Sequence, residues 1–254
     1  MTSPSPWVDL QGTANTRDIG GLPARGGRIR HRLLIRSDNL QDLTRADLQL
    51  LLDEIGVRTV LDLRTDVERT DEGPPPLAAH DHVEHFPLSF IPEKELSELA
   101  ASVVLPDRWD DGPVGAYLHY VRDRPQSFAA AVRRLADPAA GAAIVHCAAG
   151  KDRTGLLVAV VLDTLGTDRE LIYADYELTN QRIEQIFARL AASSTYAVSV
   201  NRIGLDAHRV DPGTIKTVLE TLDDWHGSPA DFLRAGGVTD AELDRLAERF
   251  VEPA

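Results

Sequence analysis

The chain has 254 residues, 43% of them hydrophobic, and a formal net charge of −13 at pH 7. This length suffices for a sizeable hydrophobic core, and the acidic balance disfavours nucleic acid or an anionic membrane as the main partner, because both select a broad basic face. A single cysteine excludes an internal disulfide.

The N-terminal residues, MTSPSPWVDLQGTANTRD, contain neither the basic segment nor the apolar segment of a secretory signal peptide. No apolar run in the sequence reaches the length that crosses a bilayer. We therefore expect a cytoplasmic protein without stable membrane insertion. The absence of repeats and of low-complexity blocks favours a single domain over residues 1–254.

Three short apolar segments predict β-strands. Residues 59–63 (TVLDL) follow the helix signal LTRADLQLLLDEIG, in which Thr44 is the expected N-cap and Gly56 the expected end. The second and third predicted strands are residues 83–88 and 142–146. Strands that alternate with helices predict an α/β fold with a central, mostly parallel sheet flanked by helices, in which functional sites lie at the carboxyl ends of strands.

Two other regions have a distinct pattern. Residues 89–114 are charged, interrupted by prolines and partly helical, which is typical of either a helical lid or a surface insertion. Residues 168–254 have a helical pattern throughout. Capping boxes at Ser228–Asp231 and Thr239–Glu242 predict the starts of the last two helices.

The stretch HCAAGKDRTG at 146–155 contains the only cysteine, Cys147, directly after the third predicted strand. A thiol just before a helix N-terminus is stabilised as the thiolate by the positive end of the helix dipole and by unpaired backbone N–H groups. The thiolate is the nucleophilic form of cysteine. The stretch therefore predicts a cysteine nucleophile at the edge of the sheet.

The residues after Cys147 are typical of a loop that binds one phosphate. Successive backbone N–H groups of residues 148–153 can form an anion nest. Arg153 can hold two phosphate oxygens and balance the charge of the transition state, and the hydroxyl of Thr154 can donate a hydrogen bond to the sulfur. The predicted phosphate-binding residues are Ala148, Ala149, Gly150, Lys151 and Thr154.

HCAAGKDRTG resembles the H-C-x5-R-[ST] signature of cysteine-dependent phosphatases. The form with Gly-Lys-Asp inside the loop is similar to that of the bacterial tyrosine phosphatases typified by the mycobacterial phosphatase B. Four further stretches match that family in order, so that the resemblance covers most of the chain: NTRDIGG at 15–21, LIRSDNLQDLT at 34–44, DLRTDVE at 62–68 and YADYELTN at 173–180.

The resemblance implies the cysteine-dependent phosphatase fold and hydrolysis of phosphomonoesters through a cysteinyl-phosphate, with no metal or other cofactor. It implies that Cys147, Lys151, Asp152 and Arg153 are the working residues of the loop. The implied substrate is phosphotyrosine in a protein, with dual specificity or phosphoinositide hydrolysis as further activities. A small phosphorylated metabolite is an alternative substrate, and the sequence leaves the oligomeric state open.

The leaving oxygen also needs a proton donor. Many members of the family carry an aspartate just after the second strand, where this chain has Ser89 and Phe90. Asp152 is the preferred candidate, because a general acid must lie within hydrogen-bond reach of the leaving oxygen. The alternative donors lie around Trp109 in the predicted lid and are Asp107, Asp110 and Asp111.

Two alternatives belong to other functional classes. The residues His80, His82 and His85 echo part of the H-x-H-x-D-H spacing of binuclear zinc hydrolases, although the aspartate is replaced and further ligands have no clear counterpart. A phosphate-binding module without turnover is the other alternative. Such modules usually lack the nucleophile or the arginine, whereas Cys147 and Arg153 are both present.

Other polar residues of the matching stretches are interpreted as supporting residues. Asp62 and Arg64 are expected near the carboxyl edge of the sheet, because DLR ends a strand there. Asp175 is expected to fix its helix against the loop. Tyr117 and Tyr120 have helical spacing and are predicted to pack in the core rather than to act in catalysis.

Overall fold

The computed structural model describes residues 5–92 and 112–253. Its strands are β1 (Arg17–Asp18), β2 (Pro23–Ala24), β3 (Gly27–Ile29), β4 (Leu34–Ser37), β5 (Val57–Asp62), β6 (Glu84–Pro87), β7 (Ala142–His146) and β8 (Val251–Pro253). Five of these strands form the main sheet in the order β1-β4-β7-β5-β6, and three form a small antiparallel sheet in the order β2-β3-β8. In the main sheet only β1 is antiparallel to its neighbour. This confirms the predicted α/β fold with a mostly parallel sheet.

Helices precede and follow the strands and make up most of the C-terminal half. A π-helical segment, Leu50–Ile55, continues the first helix. Short 3-10 turns occupy Pro76–Ala79, Pro138–Ala140, Leu178–Arg182 and Asp206–His208. The α-helices of the described residues are α1 (Arg45–Gln49), α2 (Asp66–Glu72), α3 (Gly112–Asp123), α4 (Pro125–Leu135), α5 (Asp152–Thr164), α6 (Arg169–Glu177), α7 (Ile183–Ala192), α8 (Ala197–Ile203), α9 (Pro212–His226), α10 (Pro229–Ala235) and α11 (Asp240–Phe250).

The predicted helix signals are found at the expected positions. Thr44 caps α1 in a capping box with Asp47, and Gly56 ends the π-helical continuation at φ +81°. Thr239 caps α11 in the predicted capping box with Glu242. At the start of α10 the described contacts contain half of the predicted box, in which the Ser228 side chain accepts a hydrogen bond from the Asp231 N–H. These caps form because short polar side chains satisfy N–H groups that the first turn of a helix leaves unpaired.

The core lies on both faces of the central strands. Alternate side chains of a strand point to opposite faces, so Ala142 and Ile144 of β7 join one apolar cluster with Leu51. Ala143 and Val145 point the other way, into the larger cluster that includes the apolar side chains of α5. Every residue of β7 is therefore buried, and its carboxyl end is fixed in the centre of the molecule.

The predicted strands are found with small shifts, and others were missed. The third predicted strand is β7 residue for residue, whereas β5 begins two residues before the predicted 59–63. The strand β4 has no apolar pattern because Arg36 and Ser37 are buried in it. The region predicted as helical, residues 168–254, ends in the strand β8, which pairs with β3.

Only the two ends of the predicted lid belong to the described residues. Residues 93–111 lie outside them, as do the alternative proton donors Asp107, Asp110 and Asp111. At the first end, the ring of Phe90 stacks on Phe128 with centroids 4.1 Å apart. Among the helices of residues 5–92 and 112–253, none is long and apolar enough to cross a membrane.

Candidate active site

Cys147 lies at the junction of β7 and α5, between the carboxyl ends of β4 and β5, which flank β7 in the sheet. Residues 147–151 form a loop, and α5 begins at Asp152. The side chain of Cys147 is almost fully buried. The predicted placement of this thiol between a strand end and a helix N-terminus is therefore found in the structure.

Two side chains hold the loop by its carbonyl oxygens. Asn15 Nδ2 donates to the carbonyl oxygens of Ala149, at 3.0 Å, and Gly150, at 3.1 Å. Arg36 Nη2 donates to the Gly150 carbonyl oxygen at 2.9 Å. The C=O and N–H of one planar peptide point in opposite directions. These contacts therefore turn the N–H groups of Gly150 and Lys151 towards the inside of the loop, where an anion can bind them.

Glycine is required at position 150. Gly150 has φ +62°, a left-handed conformation that costs an L-residue about 1 kcal/mol or more. A Cβ atom there would lie 2.5 Å from the carbonyl oxygen of Ser37 and 2.6 Å from the Asp38 nitrogen. The loop therefore rests directly on the backbone that follows β4.

A buried cluster of charged side chains behind the loop fixes the positions of Asn15 and Arg36. Asp175 of α6 accepts hydrogen bonds from Arg17 Nε at 2.9 Å and from Arg36 Nη1 at 2.5 Å. Arg17 Nη1 in turn donates to Asn15 Oδ1 at 2.6 Å. Burial acts to raise the pKa of Asp175, but the two arginine charges outweigh it, and this pKa is lowered overall. Asp175 therefore connects α6 to the loop through two arginines.

Arg153 is oriented by Glu68 of α2. Arg153 Nη1 donates to Glu68 Oε2 at 2.6 Å, and Nη2 donates to Oε1 at 2.8 Å. Burial acts to raise the pKa of Glu68, but the charge and hydrogen bonds of Arg153 lower it to about 2. Burial acts to lower the pKa of Arg153, but Glu68 and the nearby Cys147 raise it well above its usual range. Both groups of this pair are therefore charged at neutral pH.

Arg153 keeps one edge of its guanidinium for a ligand. Of its five N–H donors, Glu68 takes two and the Leu63 carbonyl oxygen, 3.3 Å from Nη1, takes a third. Within the described ranges, the Nε–H and the second N–H of Nη2 have no acceptor. These two donors share an edge of the planar group, which is the arrangement that binds two oxygens of a phosphate.

Asp152 lies at the first position of α5 and is the partner of a buried tyrosine. Tyr117 of α3 donates from its hydroxyl to Asp152 Oδ1 at 2.6 Å. Lys151 Nζ lies 3.8 Å from Asp152 Oδ2 and donates to the His208 carbonyl oxygen at 3.0 Å. The Asp152 side chain is 37% exposed, so its second oxygen is open to a ligand in the site.

The remaining predicted loop residues are buried around Cys147. Ala148 and Ala149 are buried, and in the part of the chain that the structure describes the Thr154 hydroxyl has no hydrogen-bond partner. That hydroxyl is therefore available to the sulfur.

His146, the residue before Cys147, is fully buried, and its Nε2 lies 3.6 Å from Asp62 Oδ2. Burial lowers the pKa of His146 to about 4, although the charge of Asp62 acts to raise it.

The DLR sequence reaches the loop through Asn39, which was not among the predicted site residues. Arg64 pairs with Asp62 at 2.7 Å and donates to Asn39 Oδ1 at 2.7 Å. The Asn39 N–H donates to the Ala148 carbonyl oxygen at 3.0 Å. Tyr196, which was also missed, donates to Glu68 Oε1 at 3.0 Å.

The histidines of HDHVEH are not gathered into a metal-binding cluster. The rings of His80 and His82 have centroids 5.7 Å apart, and His85 lies on β6. Within residues 5–92 and 112–253, no group of three or more histidine, cysteine, aspartate or glutamate side chains is placed to hold a metal ion. The described residues therefore give the zinc-hydrolase alternative no support.

Comparison with known proteins gives matches over most of the chain. The model of a family described as "Tyrosine phosphatase family" matches residues 8–252. The chain is 28% identical to the triple specificity protein phosphatase PtpB of Mycobacterium tuberculosis, over 94% of this chain and 96% of that one. It is 27% identical to a tyrosine-protein phosphatase of Nostoc commune, over 85% of this chain and 73% of that one. The solved catalytic core of Siw14 aligns with 15% identity and a TM-score of 0.39, covering 87% of this chain and 98% of that one.

Proposed function

The chain belongs to the tyrosine phosphatase family and is a cysteine-based phosphatase, and we propose that Cys147 is its nucleophile, that Arg153 binds the phosphoryl group and that Asp152 is the proton donor. The observation that carries this assignment is the Arg153–Glu68 pair, which leaves one edge of the guanidinium free beside the loop that contains Cys147.

In the first step, the monoester binds with its non-bridging oxygens on the N–H groups of the loop and on the free edge of Arg153. The Cys147 thiolate attacks phosphorus, a sulfur–phosphorus bond forms, and the bond to the leaving oxygen breaks. Asp152 gives its proton to that oxygen, so the alcohol or phenol leaves neutral. The N–H groups and Arg153 stabilise the charge on the phosphoryl oxygens in the transition state.

In the second step, water attacks the phosphorus of the cysteinyl-phosphate. Asp152, now ionised, accepts the proton of that water, the sulfur–phosphorus bond breaks, and inorganic phosphate and the thiolate are released. The hydroxyl of Thr154 donates a hydrogen bond to the leaving sulfur. No metal or other cofactor takes part in either step, and the residues that bind phosphate are Ala148, Ala149, Gly150, Lys151 and Thr154 together with Arg153.

The proposed substrate is phosphotyrosine in a protein. The loop accommodates one phosphate group, and the family name supports a phosphorylated protein. The name of the Mycobacterium tuberculosis relative, a triple specificity phosphatase, supports tests of more than one substrate class. A panel of phosphotyrosine, phosphoserine and phosphothreonine peptides, phosphoinositides and sugar phosphates, ranked by kcat/KM, should place phosphotyrosine first. A sugar phosphate in first place would assign the enzyme to metabolite hydrolysis.

The assignment of the nucleophile is tested with Cys147→Ser and p-nitrophenyl phosphate. We expect the variant to lose turnover and to retain phosphate binding in calorimetry, because the loop and Arg153 are intact. A chelator should leave wild-type turnover unchanged. Turnover that survives Cys147→Ser would contradict the assignment, and turnover lost with the chelator would direct attention to His80, His82 and His85. Phosphate binding without any wild-type turnover would support a binding module.

The proposal also includes the cellular setting. A catalytic thiol must stay reduced, and a reducing compartment such as the cytoplasm maintains free thiols. The match of one family model to residues 8–252 supports a single phosphatase domain. Fractionation of cells that express the full chain should place the enzyme in the cytoplasmic fraction, and limited proteolysis should leave one stable core that contains Cys147.

A further inference from the structure

Two tyrosine hydroxyls lie in line behind Asp152, where the loop meets α3 and α6. Tyr117 donates to Asp152 Oδ1 at 2.6 Å, and the hydroxyl oxygens of Tyr117 and Tyr176 are 2.7 Å apart. Both tyrosine side chains are buried, Tyr117 at 1% and Tyr176 at 2% exposure. Helical spacing predicted only core packing for Tyr117, so the contact of its hydroxyl with Asp152 is an additional feature.

The direction of this chain of hydrogen bonds follows from proton counting. A tyrosine hydroxyl has one proton, and Tyr117 uses it for Asp152. Tyr176 must therefore be the donor in the contact between the two hydroxyls. Each hydrogen bond in such a buried chain strengthens the next by polarisation, so Tyr176 makes Tyr117 a better donor to Asp152.

We propose that Tyr117 is a positioning residue for the proton donor, fixing Asp152 Oδ1 as an acceptor so that Oδ2 carries the proton that is transferred. This inference rests on the proposed function, because it assumes that Asp152 is the general acid. With Oδ1 held by Tyr117, Oδ2 is the oxygen of the carboxyl group that accepts no hydrogen bond among the described contacts, and Lys151 Nζ lies 3.8 Å from it.

The contact persists through both protonation states of Asp152. When Asp152 is protonated on Oδ2, Oδ1 is a carbonyl oxygen and accepts from Tyr117; when Asp152 is ionised, Oδ1 accepts again. Burial raises the pKa of Tyr117 well above its usual range, and the charge of Asp152 adds to this effect. Tyr117 therefore keeps its own proton throughout the cycle and acts by orientation.

Other titratable groups also face Asp152, and the experiment must separate them from Tyr117. They belong to the loop, to α3 and to the turn before α9, and they are Lys151, Tyr120 and His208. None of these donates a hydrogen bond to the carboxylate of Asp152 among the described contacts. Removal of a single hydroxyl from Tyr117 leaves all three in place.

Tyr117→Phe tests the inference. Without this hydrogen bond the ionised form of Asp152 is less stable, so the alkaline limb of the kcat profile should move up by about one pH unit. Below that limb, kcat/KM for phenyl phosphate should fall about 10-fold because Asp152 loses its orientation in the first step, whereas kcat/KM for p-nitrophenyl phosphate should fall less than about 3-fold. Tyr176→Phe should change both quantities in the same direction by a smaller factor.

Tyr173→Phe is the matched control, since it removes a hydroxyl from the same helix as Tyr176, at a position whose charged neighbours include Arg169, Glu170 and Glu220 rather than groups of the loop. It should leave the profile and both rates unchanged. An alkaline limb at the wild-type pH in Tyr117→Phe, together with an unchanged ratio of the two rates, would overturn the positioning role. If Tyr117→Phe does not fold, Tyr176→Phe decides by the same two readouts.

The failure of this inference and the failure of the proposed function give different results. Turnover that survives Cys147→Ser contradicts the function itself. Loss of turnover in Cys147→Ser, combined with an unshifted profile and an unchanged ratio of the two rates in a folded Tyr117→Phe, contradicts only the role of Tyr117. Loss of activity in Tyr117→Phe by equal factors for both esters, with no shift in pH, would indicate a purely structural tyrosine and would also overturn the inference.

Discussion

Glu68 and Arg153 are joined by two parallel hydrogen bonds, of 2.6 Å and 2.8 Å, although they are 85 residues apart in the chain. The pair is buried, and it presents the remaining edge of the guanidinium to the site. Glu68 also accepts a hydrogen bond from the Thr65 N–H in the capping box that begins α2. One carboxylate therefore fixes the start of a helix and the orientation of the phosphate-binding arginine.

Glu68→Gln should lower both the activity and the stability of the enzyme. Gln cannot accept both hydrogen bonds from Arg153, so the guanidinium is misplaced and kcat/KM for p-nitrophenyl phosphate should fall roughly 10- to 100-fold. An uncompensated buried charge should also lower the free energy of unfolding by about 2 to 5 kcal/mol. Asp71→Asn, at an exposed position of the same helix, is the control and should change neither. If Glu68→Gln is destabilised but keeps the wild-type kcat/KM, Glu68 stabilises the fold and does not orient Arg153 for catalysis.

Gly150→Ala should disable the loop. The φ of +62° strains any L-residue, and the added methyl group would overlap the Ser37 carbonyl oxygen at 2.5 Å. We expect the loop to shift and kcat to fall about 100-fold. Gly26→Ala is the matched control, because Gly26 has φ +81° and no atom of the described residues lies within 4 Å of an added Cβ. It should cost about 1 kcal/mol of stability and no activity. Equal activities of the two variants would contradict the role of Gly150.

The sequence was sufficient to predict the elements whose signals are local. The strand β7, the caps at Thr44 and Thr239 and the position of Cys147 depend on residues within a few positions of each other. The strand follows from the alternation of side chains between its two faces, and the caps follow from the unpaired N–H groups at helix starts. For that reason these predictions agree with the structure within one or two residues.

The partners of the site residues could not be predicted because they come from distant parts of the chain. Tyr117 is 35 residues from Asp152, and no pattern in either segment indicates the contact. For Glu68 a signal was present, since Thr65-x-x-Glu68 is a capping box. That box places a carboxylate at a helix start, but it does not reveal which arginine approaches. The strand β4 was not predicted, because the buried Arg36 interrupts the apolar pattern that indicates a strand.

Asp152→Asn should affect poor leaving groups selectively. A general acid contributes only when the leaving oxygen needs a proton, so kcat/KM, which reports the first step alone, should fall roughly 10²- to 10⁴-fold for phosphotyrosine or an alkyl phosphate. The loss of kcat/KM for p-nitrophenyl phosphate should be much smaller, and the alkaline limb of the profile should disappear. Asp107→Asn, Asp110→Asn and Asp111→Asn should have milder effects and keep that limb. Equal losses on both leaving groups would make these three the leading donors.

Acid should destabilise the fold before most carboxylates titrate. Burial lowers the pKa of His146 from 6.5 to about 4, so the unfolded chain binds a proton in this range that the folded protein does not. Stability is therefore complete above pH 6.5 and decreases as the pH falls towards 4, by roughly 3 kcal/mol for this residue. Burial also lowers the pKa values of His85 and His208, which act in the same direction.

Urea unfolding at several pH values between 7.5 and 4.5 measures this effect. His146→Gln should reduce the slope of stability against pH, whereas His82→Gln, at an exposed position, should keep the wild-type slope. The same slope in wild type and His146→Gln would show that other groups cause the acid sensitivity.

Passage of the phosphoryl group through Cys147 can be observed by rapid acid quenching of the enzyme during turnover. Because Cys147 is the only cysteine in the chain, mass spectrometry of the digested protein gives an unambiguous assignment. We expect a phosphoryl group on the peptide that contains Cys147, most abundant in Asp152→Asn with p-nitrophenyl phosphate, since that variant cannot activate water in the second step. Turnover with no phosphorylated Cys147 peptide at any quench time, in either protein, would contradict this expectation.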